Sequence, residues 1–146
     1  MPQADLAVER FAQGYSCAQS VFSVLAEARG LDRDLAYRLA AGFGGGMART
    51  GGTCGCLTGA LMAVGLGQRS VSPEENQAER EKTYEAGGRL IREFVARNGS
   101  ACCRDLLGVD LSTPEGRKQA REMRLTRTRC VKFVRDAVEI AAALVP

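Results

Sequence analysis

Six cysteines, Cys17, Cys54, Cys56, Cys102, Cys103 and Cys130, carry most of the chemistry open to this 146-residue chain. No histidine accompanies them. That absence removes His-ligated zinc, Rieske-type iron, the haem-attachment motif Cys-x-x-Cys-His and any Cys–His catalytic pair. What remains is the chemistry of thiolates on their own: several of them holding a metal or an iron–sulfur cluster, or two of them exchanging with a disulfide. Six cysteines fall far short of a disulfide scaffold. The first ten residues place Asp5, Glu9 and Arg10 among apolar ones, so no targeting segment is expected there and the location is read as cytoplasmic. In that reducing compartment thiols are metal-binding or redox-active rather than structural bridges.

Spacing narrows the choice without closing it. Zinc sites usually bring two Cys-x-x-Cys knuckles, and this chain has neither. It offers Cys54-x-Cys56, the adjacent pair Cys102-Cys103, and the isolated Cys17 and Cys130. Scattered ligands are compatible with an iron–sulfur cluster, and the spacing alone does not name the metal. They equally suit a thiol–disulfide oxidoreductase using Cys54 with Cys56 or Cys103, or a metal- or anion-binding module without redox turnover.

The elements that must position these thiols are helical. Ser16 caps a helix in which Cys17, Val21, Val24, Leu25 and Ala28 share a stripe, with Gly30 as its stop. Asp32 caps a second, with Leu35 and Leu39 facing inward. A glycine-rich loop spans 42–52. Residues 54–67 hold no charge at all, which predicts a helix buried on all sides at the centre of the domain. On it Gly55, Gly59, Ala63 and Gly67 recur every fourth position, a bare stripe that invites close approach by another backbone or a cofactor.

Ser72-Pro73-Glu74-Glu75 has the form of a helix start, with the two acids as dipole partners. The helix runs to about Asn98, with Tyr84 among its inward residues and Glu85–Arg89 and Glu93–Arg97 pairs outside. Gly108 closes a short turn beginning at Cys102, Thr113-Pro114-Glu115 starts another helix, and 130–144 forms the last. No period-2 pattern competes. The expectation is an all-α, single-domain helical bundle over 1–146, with the glycine-rich apolar helix at its centre. Cys17, Cys54, Cys103 and Cys130 each fall in the first turn of a helix, where spare N–H donors and the dipole favour thiolate over thiol.

Several segments resemble one known family. They are Gly14-Tyr15-Ser16-Cys17-Ala18-Gln19, then Thr53-Cys54-Gly55-Cys56-Leu57-Thr58-Gly59 after the glycine loop, Cys103-Arg104-Asp105-Leu106-Leu107-Gly108, and the late Cys130. Their order and spacing resemble the redox-active proteins named for a C-GCAxxG-C-C pattern, over about residues 11–142. The resemblance implies four site cysteines at Cys17, Cys54, Cys103 and Cys130, and motif glycines at Gly55 and Gly59. This chain departs from the pattern by placing Cys56 at the motif's alanine and Cys102 beside Cys103. A similar domain ends the split-Soret cytochromes, where the cysteine region is associated with a non-haem iron–sulfur centre. By that resemblance the chain is expected to transfer electrons or sense redox state through an iron–sulfur site, with an unknown redox protein as partner.

Other readings are weaker. Gly42-Phe43-Gly44-Gly45-Gly46 lacks the Gly-Lys-Ser/Thr ending and the preceding strand of a phosphate loop, so it is read as a turn needing positive φ beside Cys54. Eight Lys/Arg against Glu122 alone lie between Arg117 and Arg135. Arg117, Arg121 and Arg124 on one face read as a solvated surface, since no interleaved aromatics support nucleic-acid binding. Arg49 and Arg104 are the nearer candidates for tuning thiolates. The net charge of +3 names no partner, and no apolar run is long enough for membrane insertion.

Overall fold

In the computed structural model, which describes residues 2–144, Ser16 opens the helix around which the others assemble. Its hydroxyl accepts from the Gln19 backbone N–H, and Gln19 Oε1 accepts from the Ser16 N–H, a reciprocal capping box. Helix α2, Cys17–Glu27, is buried from Ser20 to Ala26. Such near-complete burial of an 11-residue helix requires neighbours on most sides. Helices α1 (Pro2–Ala12), α3 (Arg33–Ala40), α4 (Gly55–Gly65) and α8 (Val131–Leu144) supply them. Helices α5 (Asn76–Asn98), α6 (Cys103–Leu107) and α7 (Pro114–Glu122) complete the all-α fold, and among the described residues there is no strand.

The bare stripe of α4 meets α2. A Cβ on Gly59 would lie 2.8 Å from the Ala18 carbonyl oxygen, so backbone touches backbone there. The contact stops short of the expected stripe's end, because Gly67 lies beyond α4 and is exposed. On its other side α4 receives α5, where a Cβ on Gly87 would come 2.8 Å from Leu61 Cδ2. Helix α8 then closes the bundle, its Phe133 ring 6.0 Å from that of Phe94. Ion pairs fix it from outside: Arg97 reaches Asp136 and Glu139, and Arg135 reaches Asp5 on α1.

Some expectations need correcting. On α3 the inward residues are Ala36 and Ala40, while Leu35 and Leu39 stay 44% and 49% exposed. Small alanines let α3 lie close on α2, which turns the leucines outward. Tyr84 is likewise exposed, because that turn of α5 has no neighbour over it. The Ser72 segment forms a capped turn ahead of α5 rather than its first turn: Ser72 Oγ accepts from Glu75 N and the regular helix begins at Asn76. On α5 Arg89 pairs forward with Glu93, because Arg97 is drawn to α8. Helix α1 was not anticipated. Its Arg10 is buried, donating to Ser23 Oγ and to Glu27.

Between α3 and α4 the chain winds left-handed. Gly45, Gly46, Met47, Ala48 and Arg49 all have φ between 53° and 71°, and Gly51 follows at 76°. Each non-glycine residue in that conformation costs about 1–2 kcal/mol. Backbone bonds from Arg49 N to Gly44 O, Gly51 N to Gly45 O and Gly52 N to Gly46 O hold the coil. Thr50 Oγ1 adds bonds to the carbonyls of Gly46 and Met47. The expected positive-φ turn is therefore present, extended through three side-chain-bearing residues.

Candidate functional site

The left-handed coil exists where two cysteine segments must be held together. Its exit is zipped to the start of α6: Cys103 N donates to Gly52 O at 2.7 Å, and Cys54 N donates to Ala101 O at 2.8 Å. These bonds place Cys54, which caps α4, beside Cys103, the first residue of α6. Gly46 must be glycine for this approach, since a Cβ there would lie 2.7 Å from Cys103 Cβ. On the opposite wall Cys17 begins α2, its sulfur turned inward so that a Cβ on Gly55 would come within 2.6 Å of it.

Cys130 arrives differently from the expectation. It ends a π-helical turn, Thr126–Cys130, and the regular helix α8 starts one residue later. A π-turn widens the helix by a residue, and Leu125 is buried at its entrance. Arg129 ties this turn to the neighbouring cysteine element by donating to the carbonyls of Leu106 and Leu107 at the end of α6.

Burial, hydrogen bonds and neighbouring charges set the six thiols apart. Cys17 is held down to about 7, first by a hydrogen bond from Cys56 and further by the backbone N–H groups of Ala18, Gly45 and Cys17 itself. This is the favourable helix start expected for a thiolate, assisted by one amide of the left-handed coil. Cys103 is pushed up to about 12 by burial, then by the charges of Cys54, Cys17 and Cys102. Burial likewise raises Cys130 far above the ordinary thiol value, with Cys17, Cys54 and Cys103 adding to it and Arg129 opposing. Thus Cys103 and Cys130 each lie within electrostatic reach of Cys17 and Cys54, although they come from separate elements, and Cys102 acts on Cys103 as well.

The remaining two cysteines differ. Cys56 is fully buried behind the focus, hydrogen-bonded to Cys17 and Cys54, and both burial and those bonds raise it well above 9.0. Cys102 turns to the side, its thiol donating to Gly51 O at 3.0 Å. All six are free thiols. Arg104, expected to tune a thiolate, instead donates to Thr50 O and pairs with Asp110. Its place is taken by Arg129, whose position beside Cys130 in the sequence was the available signal. Neither the Cys56 bond to Cys17 nor the Gly45 amide was anticipated. Both depend on how the coil and α2 meet.

A donor set of this kind suits a thiophilic, positively charged group. Burial and neighbouring thiolate charge oppose ionisation of Cys103 and Cys130 unless a cation compensates them. Among the described residues, no three ligating side chains already converge tightly enough to hold a single metal ion. A concavity of about 550 Å³ lies at the other end of α4 against Leu25, Ala63 and Val64, and no cysteine lines it.

The fold is a small all-α protein in which cysteine-bearing segments of separate elements, Cys54 and Cys103 above all, are bonded side by side. The chain belongs to the family described as "Putative redox-active protein (C_GCAxxG_C_C)", whose profile matches residues 15–144. It is also 33% identical over 141 residues to an uncharacterized protein of Archaeoglobus fulgidus, covering 91% of this chain and 86% of the relative. No solved structure matches. Among the described residues, no helix is long and apolar enough to cross a membrane.

Proposed function

We propose that Cys17, Cys54, Cys103 and Cys130 hold an iron–sulfur cluster through which the protein transfers electrons or senses redox state. The observation that carries this reading is geometric: Cys54 and Cys103 are zipped side by side, the Cys17 sulfur fills the space beside Gly55, and Arg129 ties the Cys130 turn to the end of α6. Bound there, the cluster would accept and return single electrons. The chain's own contribution is to supply four thiolates and exclude water with α2, α4 and the coil. It also offers the amides of Ala18 and Gly45 to the sulfur of Cys17. Amide donors to a ligating sulfur stabilise its negative charge and so favour the reduced state. Thiols spread around a focus suit a group of several metal atoms better than zinc, which needs four sulfurs at about 2.3 Å from one point.

The test is composition. Protein purified without oxygen, or reconstituted with ferrous iron and sulfide, should contain iron and acid-labile sulfide in comparable amounts. Zinc without sulfide would replace the cluster by a plain metal site and end the redox reading of these four residues.

A second reading is favoured by the Cys56 hydrogen bonds. Cys56 reaches both Cys54 and Cys17, so a dithiol exchanging with a substrate disulfide could use either pair. One thiolate would attack the substrate disulfide and release a thiol. Its partner would then close the internal disulfide, lose its proton and release the second thiol. Mass mapping after mild oxidation would separate this from the cluster reading: metal-free protein carrying a Cys56 disulfide favours exchange.

A further inference from the structure

Two concavities flank the π-turn that carries Cys130, and no carboxylate lines either one. The first, about 460 Å³, is walled by Arg121, Arg124 and Arg127. All three are exposed, and among the described residues none has an ion pair or side-chain hydrogen bond. Their cationic neighbours are occupied: Arg117 donates to Leu111 O, Lys118 pairs with Glu122, Arg129 caps α6, and Arg135 holds Asp5. Arg124 sits at φ 51°, a left-handed conformation that a side-chain-bearing residue adopts only when its surroundings impose it. The reversal at that residue brings the three guanidiniums around one hollow.

The second concavity, about 450 Å³, is mostly apolar, with Phe11 and Val131 among its walls and Arg127 shared with the first. Its lining includes Ser16, which precedes Cys17, and Val131, which follows Cys130. It is therefore the surface hollow bordered by two of the four site cysteines' own segments. An apolar centre with a charged, unpaired rim is how transient protein contacts are built. Charge of one sign on the rim steers a partner of the opposite sign. Nucleic acid fits poorly, because Tyr15, the one tyrosine in the groove, is already stacked on Tyr37 at 3.9 Å.

We infer that this face docks an acidic electron-transfer protein, its carboxylates meeting Arg121, Arg124 and Arg127 and its apolar contact resting between Phe11 and Val131. The inference rests on the cysteine focus being a redox centre. In the step itself the reduced partner loses one electron and the oxidised thiol-bound centre gains it, with no bond made or broken.

The experiment uses a reduced acidic [2Fe–2S] ferredoxin as probe, following both its binding and the electron-transfer rate by stopped flow at low and moderate ionic strength. Replacing Arg121, Arg124 and Arg127 together by Glu should weaken binding and slow transfer about tenfold or more at low salt, and invert the salt dependence. Replacing them by Gln should give an intermediate loss. Reversing Arg38, Arg69 and Arg80, an equal change in net charge on other exposed positions, should leave most of the rate. Equal effects of the two Glu triples would overturn the docking surface, as would failure of the probe to bind. Tighter binding of a single-stranded DNA 20-mer through the same arginines would also overturn it. Salt-sensitive binding at these arginines without electron transfer would support the surface and count against the redox centre. Transfer indifferent to them would do the reverse.

Discussion

The sulfur of Cys17 occupies the space that a side chain at Gly55 would need, since a Cβ there would come within 2.6 Å of it and 3.0 Å of the Phe43 carbonyl oxygen. The family motif's glycine is thus a steric requirement of a cysteine 38 positions earlier. Gly55→Ala should overpack this contact, costing about 1–3 kcal/mol, and should push Cys17 out of the focus. Chemical denaturation, with iron content measured on the same preparation, checks both. An unchanged midpoint with full iron would remove the steric link.

Two other glycines of α4 should behave oppositely. Gly59→Ala meets the Ala18 carbonyl at 2.8 Å and should lose about 1–3 kcal/mol as α2 and α4 are forced apart. A Cβ on Gly65 meets nothing within 4 Å. Gly65→Ala should therefore gain up to about 1 kcal/mol from helix propensity. If both substitutions shifted the denaturation midpoint the same way, close packing would not be what separates them.

Acid sensitivity should depend on Glu27. Hydrogen bonds from Arg33, then from the buried Arg10, hold its carboxyl down to about 2 against an ordinary 4.5. The folded value is the lower one, so on acidification the unfolded chain takes up this proton first. The stabilisation is fully present above about pH 4.5 and is lost as the pH falls toward 2. Stability measured across that window should fall in the wild type and fall less steeply in Glu27→Gln. Parallel curves would mean that Glu27 contributes nothing to the decline.

Much of this was legible in the sequence because it is local. Caps at Ser16, Asp32 and Thr113 announce their helices and are found doing so. The uncharged run from Cys54 is buried over most of its first half, while Leu66 at its far end stays 42% exposed, and Gly108 closes α6 with φ 72°. Cys17, Cys54 and Cys103 stand at helix starts, as the capping and glycine signals around them announced. Illegible features depend on which surfaces meet. Leucine outranks alanine in any hydrophobic pattern, yet Ala36 and Ala40 won on α3 because closeness to α2 mattered more than area. The π-turn before α8 has no residue signature, and three successive left-handed residues at Met47, Ala48 and Arg49 contradict their own preferences. The bond between Cys17 and Cys56 joins two cysteines that spacing gave no reason to pair.

The most direct test of a four-thiol centre is the visible absorption of anaerobic protein across single substitutions at all six cysteines. Cys17→Ser, Cys54→Ser, Cys103→Ser and Cys130→Ser should each bleach or strongly weaken the chromophore. Cys102→Ser, whose side chain can keep the bond to Gly51 O, and Cys56→Ala, which leaves the four outer thiols in place, should retain most of it. Six equal losses, or colour surviving in any of the first four while Cys56→Ala bleaches, would contradict the assignment of one shared site to Cys17, Cys54, Cys103 and Cys130.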